Sequence, residues 1–287
     1  MSYQASPRPT FDAPAPILYA AVTRHLWGDD EAGEVADWIY VSSDKIHQLV
    51  FGLPPGGAFR HSDAYRTIFA ADLLYYVLAG TMVIANPETG EVLRLATGEA
   101  AFFRRDTWHH VWSHGGEALR VLEFFAPPPS RGTSGAYART KPLLSEVRYT
   151  RDDLLGRWPA ARHDVEQTRT ILPVRAGDVL WRLEGTTEQV LAGILVSTEH
   201  LTVGKIELLP GQRTEAQAHG GDKSLYVVDG TVNVRLPDHA APSWFELGPA
   251  DGFYLPMGTR HQLYNITSRP ATVVFGVAPS YLAGDPA

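Results

Sequence analysis

Two stretches of this 287-residue chain are versions of one another, and that duplication limits the possible folds more than any other feature. Ile39–Gly56 aligns without a gap to Ile194–Gly211 over 18 positions. Six are identical: Ile39/Ile194, Val41/Val196, Ser42/Ser197, Leu53/Leu208, Pro55/Pro210 and Gly56/Gly211. The match resumes at Tyr76–Thr81 against Tyr226–Thr231, at Thr107–His109 against Thr259–His261, and at Ala126-Pro127 against Ala278-Pro279. A repeat of about 150 residues is a duplicated domain, because solenoid units run to roughly 20–50 residues.

Within each copy the apolar segments are short, rich in Val, Leu, Tyr, Phe and Trp, and broken by turn-forming runs such as PPGG, NPETG and HGGE. That punctuation predicts antiparallel strands. The expected layout is an arm over 1–24, a first barrel over 25–128, a connector over 129–177 and a second barrel over 178–283. The arm carries four prolines in its first 16 residues. It reads as unpatterned chain, or else as a clasp on a partner subunit. The connector holds nine basic and five acidic side chains. Thr150 followed by Arg151-Asp152-Asp153 resembles a helix start there, with Thr150 as N-cap. The connector reads as chain wrapped over both barrels, or as the source of arginines such as Arg139 and Arg148 for the entrance of an anion site.

Composition removes several classes of function. A formal charge of −7 opposes nonspecific attraction to nucleic acid or an anionic membrane. The absence of cysteine excludes disulfides, thiolate nucleophiles and thiolate metal sites. The N-terminus lacks the basic start and apolar run of a signal peptide, so a cytoplasmic protein is expected. No P-loop, dinucleotide fingerprint, Gly-x-Ser-x-Gly elbow or His-Glu-x-x-His is present.

A strand ending in Pro-Gly, then Tyr-Val-x-x-Gly, then Pro256-x-Gly258-x-x-His261-x-x-x-Asn265 resembles the cupin superfamily. The family's first motif, G(x)5HxH(x)3,4E(x)6G, is met by Gly211, Gln217, His219, Lys223 and Gly230 with every spacing kept and two identities changed. The resemblance implies an all-β fold: two tandem cupin-type double-stranded β-helix (jelly-roll) barrels, a bicupin, with a partly helical connector.

Carried over residue by residue, the resemblance makes Gln217, His219 and His261 the metal ligands of the second barrel. Lys223 stands where the family has a carboxylate; an ammonium donates hydrogen bonds and repels a cation. Asp222 is out of alternation and is expected to face away. In the first copy His109 aligns with His261, while counting back from Gly80 gives Thr67, Phe69 and Leu73 at the other ligand positions. An insertion of five residues between Gly56 and Gly80 brings His61 and Asp63 in as secondary candidates beside His109. A guest is therefore expected in the second barrel, which keeps two imidazoles in register.

The function implied is an enzyme acting on a small aromatic or carbonyl-containing molecule. With a divalent metal (Fe, Mn, Zn, Ni or Cu) it is a dioxygenase. Without one, Lys223 and His261 act as acid and base in an isomerase or lyase. The competing reading is a non-catalytic bicupin that binds a small molecule or serves a structural role. The expected partners are a small-molecule ligand and further copies of the chain, with neither nucleic acid nor membrane.

Overall fold

The computed structural model describes residues 4–127 and 134–282. The expected junction at 128–129 and the expected end at 283 lie outside these residues.

The duplication is visible strand for strand. In the first copy a seven-stranded antiparallel sheet runs in the order Ile171–Val174, Ala100–Phe103, Asp72–Ala79, Leu119–Ala126, His47–Leu53, Gly33–Ser42, Thr23–Asp29. In the second copy the order is Ala15–Ile17, Gly252–Leu255, Asp222–Asp229, Ala271–Ala278, Thr202–Leu208, Val190–Ser197, Leu180–Glu184. A four-stranded sheet closes the first barrel and a three-stranded sheet the second. Even the irregularities repeat, with a register shift between Ile39 and Val41 and another between Ile194 and Val196. Gly80 and Gly230 both take φ +77°, the left-handed turn that only glycine adopts without strain.

Each barrel has its own core between its two sheets. Ile39, Leu49, Leu73 and Val121 meet Met82, Ile84 and Val111 in the first; Ile206, Val227 and Phe275 meet Val234 and Leu263 in the second. A third apolar cluster joins the barrels back to back, with Tyr40, Val50, Leu74 and Phe124 against Val203, Tyr226 and Val274. This explains why strands such as Asp72–Ala79 read as continuous apolar runs: both of their faces are buried. Gly276 makes the contact close, since a Cβ there would lie 2.4 Å from the Phe124 ring. Polar links cross the same interface. Lys45 Nζ meets Asp222 at 3.0 Å, and Thr198 Oγ1 donates to Asp72 at 2.8 Å. Asp222 is out of alternation with Lys223, as expected, and faces this interface, where it also accepts from Tyr254 Oη and Met257 N–H.

The segments before each copy exchange partners. Ala15–Ile17, which precedes the first copy, pairs with Gly252–Tyr254 of the second. Ile171–Val174, which precedes the second, pairs with Ala100–Phe103 of the first. Both are edge strands and both carry a proline, Pro16 and Pro173, at a position where a missing N–H is tolerated. The arm is thus a clasp within the chain. The helix expected from Thr150 is a single 3₁₀ turn, Asp152–Leu154; Gly156 at φ +72° follows it, and the α-helix starts later, over Ala160–Gln167.

Candidate functional site

In the second barrel Lys223, His219 and His261 come together, while Gln217 joins them through its backbone and its buried Nε2 has no hydrogen-bond partner among the described residues. Gln217 and His261 form a β-bridge, with backbone N–H to O distances of 3.0 and 2.9 Å. Lys223 projects from Asp222–Asp229 into the core, and its Nζ lies 3.1 Å from His219 Nε2 and 3.2 Å from His261 Nε2. The tautomers follow from the other ring nitrogens. Nδ1–H of His219 donates to the Tyr281 carbonyl and Nδ1–H of His261 to that of Thr259. Both Nε2 lone pairs therefore accept from Lys223. The lysine also lies over the Phe275 ring, 4.8 Å from its centroid.

Lys223 and His261 have essentially no exposed surface. Burial pushes Lys223 down to about 7, and burial followed by the adjacent lysine holds His219 down at about 3. His261 is pushed well below its ordinary value by the same causes.

These residues do not fit a resident divalent metal. The two lone pairs that would bind it are already taken by the N–H groups of Lys223. No carboxylate completes the set, and a metal and the lysine would compete for one point. Among the described residues no group of three His, Asp or Glu side chains is placed to hold a metal ion.

The first barrel shows the same backbone with different chemistry. His109 N–H donates to the Thr67 carbonyl and Asp106 N–H to that of Phe69; the second copy has His261 to Gln217 and Gly258 to His219. Thr67, Phe69 and Leu73 are thus the spatial counterparts of Gln217, His219 and Lys223. His109 keeps its partner at Nδ1, the Thr107 carbonyl, and its Nε2 accepts from the Tyr75 hydroxyl at 2.9 Å. Burial holds His109 down at about 4. His61 does not join it. Its Nδ1 lies 2.7 Å from His110 Nε2, its Nε2 meets the Leu144 carbonyl, and its ring packs on Trp108. Asp63 is paired with Arg66 on the surface. Arg148 lies at a separate surface depression with Arg151 and Thr168, away from this barrel's interior.

A cavity of about 80 Å³ opens inside the first barrel. A water needs about 10–15 Å³ of such space, so this cavity admits a small organic molecule. Its apolar wall includes Trp27, Phe51, Phe59, Phe69 and Phe125, and Ser6, Pro7 and Arg8 of the arm line it too.

Asp37 and Glu123 line the same cavity, and neither carboxyl has a hydrogen bond or ion pair among the described residues. Burial raises Asp37 well above the ordinary carboxyl range. Burial and the nearby Asp37 do the same to Glu123. Thr67 Oγ1 on this wall is buried and unpartnered too. Asp37, Glu123 and Thr67 thus turn polar groups that are unengaged among the described residues toward one cavity.

Asp37 and Glu123 lie outside the family's motifs, although the duplication marks them. The second-copy residues at equivalent strand positions are Ala192 and Phe275. An acid that replaces an apolar core residue in only one of two copies marks the copy that has a polar interior.

The family profile described as Cupin domain matches residues 50–125 and 204–277. No curated protein sequence matches the chain. Among solved structures, a protein of Pseudomonas aeruginosa described as glyoxylate-induced is similar at 16% identity and TM-score 0.66, covering 97% of this chain and 96% of that one. The oxalate decarboxylase of Lactobacillus farciminis, solved with formate, is similar at 12% identity and TM-score 0.63, covering 96% and 89%. The oxalate decarboxylase of Bacillus subtilis, described with Mn(II) centres, is similar at 11% identity and TM-score 0.59, covering 99% and 80%. At these identities the likeness is one of fold. No helix among the described residues is long and apolar enough to cross a membrane.

Proposed function

Because this chain belongs to the cupin family, we propose that it uses one barrel as a small-molecule site, and that the working site is the cavity of the first barrel. The reaction class is metal-independent proton transfer, as in an isomerase or lyase. One observation carries the reading: Asp37 and Glu123 face an aromatic-walled cavity, and neither carboxyl has a protein partner among the described residues.

Two neighbouring carboxyls whose ionisation is suppressed hold a proton between them at neutral pH. The ionised member takes a proton from a carbon beside a carbonyl. The protonated member delivers one to the carbonyl oxygen, giving the enol. Return of the protons in the opposite sense, at the other carbon, completes an isomerisation; departure of a β-substituent gives a lyase. Tyr75, whose single O–H is donated to His109, offers only lone pairs to the cavity and accepts from a substrate hydroxyl. The aromatic lining excludes water, which strengthens each of these contacts.

The test works without an identified substrate. A panel of small ketones, aldehydes and hydroxyketones is incubated with the protein in deuterium oxide, and carbon-bound exchange is read by NMR. Exchange with at least one compound, lost in Glu123→Gln and kept in His261→Ala, is the expected result. Exchange that survives Glu123→Gln and Asp37→Asn overturns the reading.

A second reading places the acid and base at Lys223 and His261. The 3.2 Å contact between them and the lowered lysine favour it. It predicts the opposite pattern, loss in Lys223→Met and His261→Ala with the carboxyl variants intact.

A further inference from the structure

The cavity of the first barrel holds two acids and no protein base of matching charge. Among the described residues the single Lys or Arg on its wall is Arg8, which already donates from Nη2 to the Ser43 carbonyl at 3.1 Å and from Nε to Ser42 Oγ at 3.4 Å. The histidines there are committed as neutral rings: His109 between Tyr75 and the Thr107 carbonyl, and His47 hydrogen-bonded to Ser42 Oγ and stacked on Phe125 at 4.2 Å. The rest of the wall is largely aromatic.

From this arrangement we infer that the first barrel binds a small organic cation, a protonated amine or a quaternary ammonium group. The inference rests on the first-barrel reading above and names its ligand class.

Three physical points lead to it. An aromatic face attracts a cation through its quadrupole, and Phe51, Phe59, Phe69 and Trp27 surround one small space. A carboxylate in that space lacks the compensating charge that buried ions need, and a cationic guest supplies it. An anionic guest would meet two acids and neutral hydroxyls, and the one guanidinium on the wall among the described residues, Arg8, is already engaged. The second barrel offers a natural control. Ala192 and Phe275 replace the acids there, and an amino group is built in: Lys223 Nζ lies 4.8 Å from the centroid of that same Phe275 ring. One copy thus carries an amino group covalently, and the other is shaped to accept one.

The test uses the full chain and two sets of probes matched in shape: propylammonium, propan-1-ol and propanoate; then choline, 3,3-dimethylbutan-1-ol and 3,3-dimethylbutanoate. Dissociation constants come from calorimetric titration or, where weak, from NMR shifts. In at least one set the cation should bind tenfold or more tighter than its neutral isostere, with the anion weakest. Glu123→Gln and Asp37→Asn should each remove most of that preference while leaving binding of the alcohol within about threefold, since they keep shape and remove charge. Circular dichroism checks that both variants are folded.

Alcohol or carboxylate binding as tightly as the cation, and responding to Phe59→Ala, overturns the ligand class and leaves the first-barrel site standing. Cation binding that ignores both acid substitutions and disappears in Lys223→Met overturns the site itself. No binding by any of the six probes overturns both.

Discussion

The hydroxyl of Tyr75 reaches Nε2 of His109 at 2.9 Å and occupies the lone pair that a cupin metal would need. Lys223 does the same to His261, and to His219, in the other barrel. The two copies thus turn different protein donors toward the equivalent histidine Nε2. In the second the donor fills the core. In the first it sits at the edge of a space that two acids share.

Replacing Tyr75 by Phe removes the hydroxyl and leaves His109 Nε2 buried without a donor. Loss of one partner of a buried hydrogen bond costs about 1–3 kcal/mol. Urea unfolding of Tyr75→Phe should show a lower midpoint with an unchanged slope. An unchanged midpoint would mean that the contact contributes nothing.

Stability should depend on pH through the acid pair. Asp37 and Glu123 are raised in the folded protein by burial. The folded state therefore binds protons more tightly than the unfolded chain. Their contribution is complete below the ordinary carboxyl range, around pH 4, and is lost as pH rises toward their folded values. Glu123→Gln should flatten this fall, so that its stability relative to the parent rises with pH. Thermal melts of both proteins from pH 5 to pH 8 (about the range in which the linkage acts) decide it. Parallel curves would show that burial does not suppress ionisation of Glu123.

Restoring the family's donor set should restore a metal. Gln217→His together with Lys223→Glu places three imidazoles and a carboxylate around the point that Lys223 Nζ now occupies. The double variant should take up about one zinc or manganese ion per chain and melt higher with it, as metal sites do when only the folded state forms them. The parent should show neither change. Mass-spectrometric metal analysis after dialysis gives the comparison, and a stoichiometric metal in the parent would refute the poor fit argued above.

The link between barrels should be sensitive at Asp222. This buried carboxylate accepts from Lys45, Tyr254 Oη and Met257 N–H. Asp222→Ala strands those donors at the interface and should cost about 3–5 kcal/mol, the usual penalty for breaking a buried charged set. Lys45→Ala, whose side chain is 39% exposed, should cost far less. Equal effects of the two substitutions, read by urea unfolding, would show that the ion pair alone carries the contact.

The sequence by itself determined the fold and its doubling. Local pattern was enough, because turn residues such as Gly80 and Gly230 and the period of the strands act over a few positions. The motif spacing placed Gln217, His219, Lys223 and His261 around one point for the same reason: residues two apart share a face, and a bridge fixes the opposing strand. The tertiary structure alone decided which copy has a hollow interior. Asp37, Tyr75 and Glu123 lie 38 and 48 residues apart in the chain and meet only because their strands share one sheet. A cavity is the space left after side chains from many strands have packed, so no segment of sequence records it. Nor could the order of residues show that Ala15–Ile17 and Ile171–Val174 would exchange barrels. A short edge strand pairs with whichever sheet lies beside it, and that is settled by how the two barrels dock.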